Sequence, residues 1–291
     1  MFLCHTYLHS DFNIVGGFEM ALKIGIVNQK GGVGKTTTAI CLTDAFTQIG
    51  YKTLIIDFDP QANTTGVFNV GKPEKTIYDS IIKKVSLKEV VIKGNAMGDL
   101  VPSNNDFKKA AADLVVGKNG ENKLKNAIAE IEDDYEVIVV DSGPTAGIMM
   151  DNVLAAVDGV VIPMEPEQFA IDGLVSLISN IIEDREELNP DLAIYGLLLT
   201  KYNKGKAPHR KTYEQFMNLD ESIIHKFKTI IRDTAAIPSV HGFKNIDTPK
   251  DKSEERILNA QGSIFKYGAN NNGTKDYLAF AKELLEVIKD E

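Results

Sequence analysis

The sequence predicts an α/β protein built on a doubly wound, mostly parallel sheet with helices on both faces. From residue 22 onward, short apolar runs alternate with longer stretches of helical periodicity. The later apolar runs, at 137–140, 159–163 and 194–199, are apolar on both faces. That pattern is typical of parallel strands covered by helices on both sides. In sheets of this kind, ligands bind at the carboxyl ends of the strands.

The elements follow one another in a regular order. The first strand is predicted at 22–27, and the helix after it at 36–49, where Gly50 ends it. A second buried strand is predicted at 53–56. The remaining strands are predicted at 100–101, 137–140, 159–163 and 194–199, and the remaining helices at 107–116, 123–131, 171–187, 213–218 and 275–289.

Residues 21–291 are expected to form one domain, because neither an internal repeat nor a low-complexity linker interrupts the alternation. Residues 1–20 lack this pattern and are expected to be an N-terminal extension, either a flexible leader or a short arm that contacts a partner. Asp11 interrupts the apolar residues of the extension, and no basic region precedes them, so a signal peptide is not expected.

The composition limits the classes of protein and of partner. Hydrophobic residues make up 43% of the 291 residues, but no apolar run approaches the roughly 18–20 residues of a membrane-spanning helix. Cys4 and Cys41 have no metal-ligand spacing, so we expect no disulfide framework and a cytoplasmic location. The net charge of −9 argues against a surface that coats nucleic acid, although it allows a local basic patch.

The segment between the first strand and the first helix, residues 28–37 (NQKGGVGKTT), has the pattern of a phosphate-binding loop. Glycines allow backbone N–H groups to turn around a polyphosphate, and the following helix presents its positive end to the same anion. Lys35 is expected to neutralise the β- and γ-phosphates, Thr36 to bind Mg²⁺, and Thr37 to reach the α-phosphate. The residues expected to contact the nucleotide are Gly31, Gly32, Val33, Gly34, Lys35, Thr36 and Thr37.

The loop departs from the ordinary P-loop at its start, where Gln29 replaces the usual glycine and Lys30 follows it. KGGVGKTT resembles the deviant Walker A motif of the ParA/MinD family of P-loop ATPases, and the resemblance extends over residues 22 to about 250. In that family, the early lysine reaches across a homodimer to the partner's nucleotide. The resemblance therefore implies a homodimer closed by ATP and Mg²⁺, with Lys30 supplying charge to the opposite nucleotide.

Three aspartates complete the expected site. Asp57 and Asp59 project to the same side at the end of the second strand, and the segment 57–63 (DFDPQAN) resembles the family's DxDPQxN segment. That resemblance implies that Asp59 orients the attacking water, while Asp57 has a supporting role near the metal. Asp141 ends four apolar residues in the arrangement of a Walker B strand, although Gly143 stands where the family usually has proline.

The expected roles are those of a hydrolytic phosphoryl transfer, which depends on positioning and on electrostatic stabilisation. The catalytic residues are expected to be Lys30, Lys35 and Asp59, and the metal ligands Thr36, Asp57 and Asp141. No arginine finger is evident, and Lys30 is the natural substitute. The nucleotide base is expected near 199–203 or 231–234, and the preference for adenine rests on the resemblance.

The most basic stretch of this acidic chain is 201–211 (KYNKGKAPHRK). It is either a solvated loop or a site for non-specific DNA, which ParA-type members bind as ATP dimers. The expected DNA contacts are Lys201, Lys204, Lys206, Arg210 and Lys211. A second and looser basic group lies at Lys244, Lys250, Lys252 and Arg256, and Ala235 and Ala236 stand where the family often has a basic residue.

Three related functions are weighed against partition. A MinD-like membrane switch needs a basic amphipathic C-terminus, but residues 275–291 contain more acids than lysines. A nitrogenase-type reductase needs paired cluster cysteines, which are absent from the sequence. A metabolic ligase or kinase of the same superfamily generally lacks the equivalent of Lys30. We therefore expect a ParA-like ATPase for plasmid partition that is nucleoid-associated, does not bind membranes, and is stimulated by a centromere-binding adaptor protein.

Overall fold

Six parallel strands form the sheet that organises the described part of the molecule. The computed structural model describes residues 20–94, 97–168, 171–221, 224–234, 263 and 271–290. The strands are β1 (Leu22–Ile26), β2 (Thr53–Phe58), β3 (Asp99–Val101), β4 (Val137–Ser142), β5 (Gly159–Met164) and β6 (Ala193–Leu199). Their order across the sheet is β3-β2-β4-β1-β5-β6, and neighbouring strands are parallel throughout.

Helices cover both faces of this sheet. Within the described residues they are α1 (Lys35–Ile49), α2 (Asn63–Phe68), α3 (Ile77–Ile81), α4 (Ala110–Val116), α5 (Lys123–Ile128), α6 (Ile148–Ala156), α7 (Ile171–Leu188), α8 (Ala207–Met217) and α9 (Asn272–Asp290). On one face, α1, α2 and α9 share an apolar cluster that includes Phe46 and Leu284. On the other face, α3 to α7 form a second cluster that includes Leu114 and Leu154. The predicted fold class is confirmed.

The strand order reverses beside β1, which lies between β4 and β5. At such a reversal the helices leave toward opposite faces and a crevice opens at the carboxyl ends of the strands. The register aligns Asp141 of β4 with Ile26 of β1 on one side and with Asp57 of β2 on the other. The loop after β1 and the acidic ends of β2 and β4 therefore face the same crevice.

Several boundaries differ from the prediction for physical reasons. β2 continues to Phe58, because Asp57 stays in register with β4 although it interrupts the apolar run. The helix predicted at 107–116 is a 3₁₀ turn at Asn105–Lys109 followed by α4. α8 begins at Ala207 instead of 213, since a proline in its first turn suits a helix start and the polar run around it concealed that turn.

The helices α2, α3 and α6 are not predicted from the sequence. The first two have only six and five residues, too few to show a period. α6 is mostly buried, so its composition (IMMDNVLAA) lacks the polar face that identifies an amphipathic helix. The expected single domain over 21–291 stays a prediction, and the extension at 1–20 lies outside the described residues except for Met20.

The C-terminal helix α9 packs its apolar face on α1. The predicted face (Leu278, Ala281, Leu285 and Ile288) is partly wrong, because the most deeply buried apolar residues are Tyr277, Phe280, Ala281, Leu284 and Leu285. The Tyr277 hydroxyl lies 3.3 Å from the Thr38 hydroxyl of α1, which ties the two helices together. Among the described helices, none has the length and apolarity needed to cross a bilayer.

Candidate nucleotide-binding site

The loop between β1 and α1 has the backbone of a phosphate-binding turn. Gly32 (φ 82°) and Gly34 (φ 92°) are both in the left-handed region, which residues with a Cβ rarely adopt. A Cβ at Gly34 would also lie 3.3 Å from the Thr200 hydroxyl oxygen. Glycine is therefore required at position 34 both for its conformation and for the space beside β6.

Lys35 opens α1 with its side chain inside the site. It is only 7% exposed, and its ammonium donates a hydrogen bond to the Lys30 carbonyl at 3.0 Å. Burial lowers the pKa of Lys35, while the nearby charges of Asp141 and Asp59 act in the opposite direction. A partly desolvated cation facing two carboxylates is suited to an anion that enters between them.

Polar side chains from distant parts of the sequence hold the loop in place. Asn28 donates to the Pro163 carbonyl at 2.9 Å and accepts from the Lys30 N–H at 2.9 Å. The Thr200 hydroxyl lies 2.9 Å from the Val33 carbonyl oxygen, and the Lys201 ammonium donates to the Gly32 carbonyl. The long-range contacts are not predictable from the sequence, since no local signal indicates which carbonyl a side chain will meet across 135 to 169 positions.

Asp57 is completely buried and has a full set of hydrogen-bond partners. One carboxylate oxygen accepts from both the N–H (2.8 Å) and the hydroxyl (2.6 Å) of Thr65, and the other accepts from the Asp59 N–H at 3.2 Å. Burial, followed by the charge of Asp141, raises the pKa of Asp57 to about 8. Asp57 therefore belongs to the framework behind the site, where it is paired in register with Asp141.

Asp141 differs from Asp57 in having a carboxylate oxygen without a partner. One oxygen accepts from the Thr64 hydroxyl at 2.7 Å, while Oδ1 is buried and has no hydrogen bond within the described residues. Burial raises the pKa of Asp141 to about 7, although hydrogen bonds from Thr64 and Thr36 act in the opposite direction. A buried acceptor without a donor is costly, so this oxygen is suited to a cation.

The oxygen atoms around Asp141 suit a magnesium ion, which needs few protein ligands, better than a metal ion whose ligands all come from the protein. The Thr36 hydroxyl lies close enough to Asp141 to lower the pKa of that carboxyl, so a neutral and an anionic oxygen are near each other. The described residues contain no cluster of three or more histidine, cysteine or acidic side chains that could hold a metal. Mg²⁺ commonly takes only one or two carboxylates and completes its shell with phosphate oxygens and water.

Asp59 is the least buried of the three aspartates, and we call the side of the acidic group on which it lies the open side. Asp59 is 6% exposed, and its carboxylate accepts from the Gln61 N–H at 2.9 Å. A Cβ at Gly143 would lie 3.4 Å from the Asp59 carboxyl carbon, so the loop after β4 touches this side chain. The structure thus brings Lys35, Thr36 and all three predicted aspartates into one site.

The remaining predicted residues lie around this centre. Lys30 is exposed at the lip of the loop, as are Gly31 and Gly32, whereas Val33 is buried. The two segments considered for the base lie next to each other, because the Tyr202 N–H donates to the Ile231 carbonyl at 3.0 Å. Arg232 holds the second segment to α9 through a two-pronged ion pair with Asp276.

The raised pKa of Asp141 predicts that Asp141→Asn stabilises the protein when nucleotide and magnesium are absent. When the pKa of a carboxyl is higher in the folded than in the unfolded protein, the free energy of unfolding decreases as the pH rises between the two values, here from about 4 to 7. The neutral amide avoids that decrease. The free energy of unfolding of the variant should therefore exceed that of the wild type by roughly 1–3 kcal/mol at pH 8 and be about equal to it at pH 4. Urea unfolding at both pH values measures the difference, and a variant that follows the wild-type pH slope would contradict it.

Known proteins share this fold and resemble the sequence over most of its length. A family model described as an AAA domain matches residues 21–194. The sporulation initiation inhibitor protein Soj of Bacillus subtilis is 30% identical over 90% of this chain and 97% of its own length. The solved structure of cobyrinic acid a,c-diamide synthase from Mycobacterium smegmatis with bound ADP and magnesium has a TM-score of 0.75 and 25% identity, covering 93% of this chain and 96% of that one. A putative plasmid partition protein from Borrelia burgdorferi bound to AMPPNP has a TM-score of 0.68 and 24% identity over 93% and 98% of the two chains.

The family model covers more than half of this chain, and the Bacillus relative matches over nearly its whole length. The range matched by the family model includes the deviant loop and the acidic ends of β2 and β4, so these residues belong to the matched domain. This chain is a member of the ParA/MinD family of P-loop ATPases.

Proposed function

We propose that this protein is a ParA-like partition ATPase that closes into a homodimer around ATP and Mg²⁺, binds DNA without sequence preference, and is released by hydrolysis. The observation that carries the proposal is the contrast between the two lysines of the loop. Lys35 is buried against the carboxylates, whereas Lys30 is exposed at the lip. A Cβ at Gly31 would meet no atom within 4 Å, so this lip leaves room for a second subunit to approach.

The proposed roles in hydrolysis follow from the positions of the side chains. Lys35 and the N–H groups of residues 31–37 bind the phosphates, and Lys30 reaches the nucleotide of the opposite subunit. Thr36, Asp141 and Asp57 hold Mg²⁺, which supplies charge neutralisation at the phosphates when it is bound. Asp59, at the open side of the acidic group, orients the attacking water.

The proposed DNA surface is the start of α8 and the loop before it. Lys204, Arg210 and Lys211 are exposed there, and Lys206 forms an ion pair with Glu167 at 2.9 Å. Cations on one exposed turn supply affinity for phosphate without reading bases, and the affinity falls as salt rises. A plasmid as the cargo and a centromere-binding adaptor protein as the stimulating partner belong to the same proposal.

Two alternatives make different predictions. A MinD-like switch would need a free amphipathic helix, but the apolar face of α9 packs on α1. The likeness to cobyrinic acid a,c-diamide synthase favours an ATP-dependent biosynthetic enzyme as the second candidate. Such an enzyme would use ATP in concert with a small acceptor and would not retain DNA.

A DNA-shift assay with ATP, with ADP and without nucleotide tests the proposal, with liposome sedimentation run beside it. The expected result is a shift with ATP only and no lipid binding. Lipid binding with ATP would favour the membrane switch, while ATP binding without either association would favour the biosynthetic candidate.

The double variant Lys204→Glu/Lys211→Glu is expected to lose the DNA shift while its basal ATPase rate stays unchanged. Reversing two exposed charges removes phosphate contacts and repels the backbone, so affinity at physiological salt should fall by about tenfold or more. Lys72→Glu/Lys93→Glu is the matched control, because both lysines are exposed and the change in net charge is the same. Equal DNA affinity in the two double variants would move the DNA surface elsewhere.

A further inference from the structure

We infer that Lys201 is a positioning residue for the phosphate-binding loop, which it serves by fixing the peptide between Gly32 and Val33. The inference rests on the proposed binding of nucleotide at this loop. Lys201 is the first cation of the basic run at 201–211, and its charge alone would group it with the DNA contacts. Its contacts instead join it to the phosphate-binding loop.

Two consecutive side chains after β6 contact two consecutive carbonyls of the loop. The Lys201 ammonium donates to the Gly32 carbonyl at 2.5 Å and lies 3.4 Å from a carboxylate oxygen of Glu165. The hydroxyl of Thr200, which is 2% exposed, lies 2.9 Å from the Val33 carbonyl oxygen and 3.1 Å from that of Met164. Thr200 and Lys201 therefore hold the loop backbone from the side of β6.

Holding these two carbonyls also fixes the direction of the two N–H groups that follow them. In a planar trans peptide, the C=O of one residue and the N–H of the next point in opposite directions. A Gly32 carbonyl held by Lys201 turns the Val33 N–H away from β6, and a Val33 carbonyl held by Thr200 does the same for the Gly34 N–H. N–H groups turned in this way are the donors that a polyphosphate requires.

The backbone of Lys201 is specialised for this contact. In a continuing strand, side chains alternate between faces, so residue 201 would point away from the loop that Thr200 touches. Lys201 instead has φ 51°, a left-handed conformation that residues with a Cβ rarely adopt. This turn allows the second side chain to reach the loop as well, and retained backbone strain of this kind is typical of functional sites.

The charge of Lys201 is also engaged locally. Glu165, whose side chain is 15% exposed, lies beside it at the end of β5. Lys204 and Lys211, by contrast, form no ion pair within the described residues. The basic run thus divides into a cation that serves the loop and others that remain available to DNA.

The test compares Lys201→Met with Lys201→Arg and with the control Lys204→Met, which removes the same charge three residues away. We expect Lys201→Met to bind both ATP and ADP about five- to tenfold more weakly in calorimetry, the factor for one ordinary hydrogen bond, because the Lys201 side chain is half-exposed to solvent. Lys201→Arg keeps the donor and should stay within about twofold of the wild type, as should Lys204→Met. In the nucleotide-free protein, hydrogen exchange at the Val33 and Gly34 amides should be faster in Lys201→Met alone.

The measurements separate this inference from the proposed function. If the wild type binds no nucleotide, the proposed function fails, whereas the amide exchange of the nucleotide-free variants still decides whether Lys201 orders the loop. Unchanged exchange in Lys201→Met would overturn the inference. So would a loss of affinity that vanishes at high salt, because a screened effect comes from charge and not from a fixed peptide.

Discussion

Replacing Lys35 with alanine is expected to weaken ATP binding about 100-fold and to abolish ATP-dependent dimerisation. The ammonium is buried beside Asp59 and Asp141, and burial lowers its pKa, so it has lost much of its hydration before any ligand arrives. Hydrogen bonds to a charged group contribute roughly 1.5–3 kcal/mol each, and the desolvated ammonium offers more than one to phosphate. Without it, the two carboxylates would face the triphosphate with no cation from this position.

Titration calorimetry with a non-hydrolysable ATP analogue and analytical ultracentrifugation measure the two effects. Lys72→Ala is the control, because Lys72 is exposed and lies outside the site. Retention of ATP-driven dimers by Lys35→Ala would refute the assignment of residues 28–37 as the phosphate-binding loop. Loss of dimers in Lys72→Ala as well would indicate a general effect of charge.

The sequence could predict the centre of this site because its signals are local. The loop residues 28–37 lie within one strand–turn–helix unit, and Asp57, Asp59 and Asp141 each end a recognisable apolar run. Parallel strands bring their carboxyl ends to one edge of the sheet, so local patterns were enough to place these residues together. The fold class followed from the same alternation.

The partners of these residues could not be predicted, since they depend on contacts between distant segments. Thr64 bonds Asp141 across 77 positions, and Lys201 bonds Gly32 across 169. Composition grouped the cations of 201–211 as one basic patch, but acids on the segment after β5 divide it, since Glu165 pairs with Lys201 and Glu167 with Lys206. Net charge along a sequence does not reveal which charges are already neutralised in the fold.

Replacing Asp59 with alanine is expected to slow ATP turnover about 100-fold or more while ATP still binds and closes the dimer. Asp59 is the predicted aspartate at the open side of the acidic group, and its carboxylate is anchored by the Gln61 N–H at 2.9 Å. A carboxylate fixed in this way can orient water and accept its proton, a contribution of about 10²–10⁴ in rate. Asp57 is instead buried and bonded to Thr65, and Asp141 bonds Thr64 through one oxygen while its Oδ1, which has no partner within the described residues, is left for the proposed metal.

Gln61→Ala is the matched control, because it changes the neighbouring exposed side chain and keeps the backbone N–H that anchors Asp59. Steady-state turnover and the affinity for a non-hydrolysable analogue should be measured for both variants with Mg²⁺ present. A loss of affinity in Asp59→Ala equal to its loss of turnover would make Asp59 a metal ligand. Turnover at the wild-type rate would remove it from catalysis altogether. A rate that falls while binding persists separates water orientation from metal binding, since only the former is confined to the transition state.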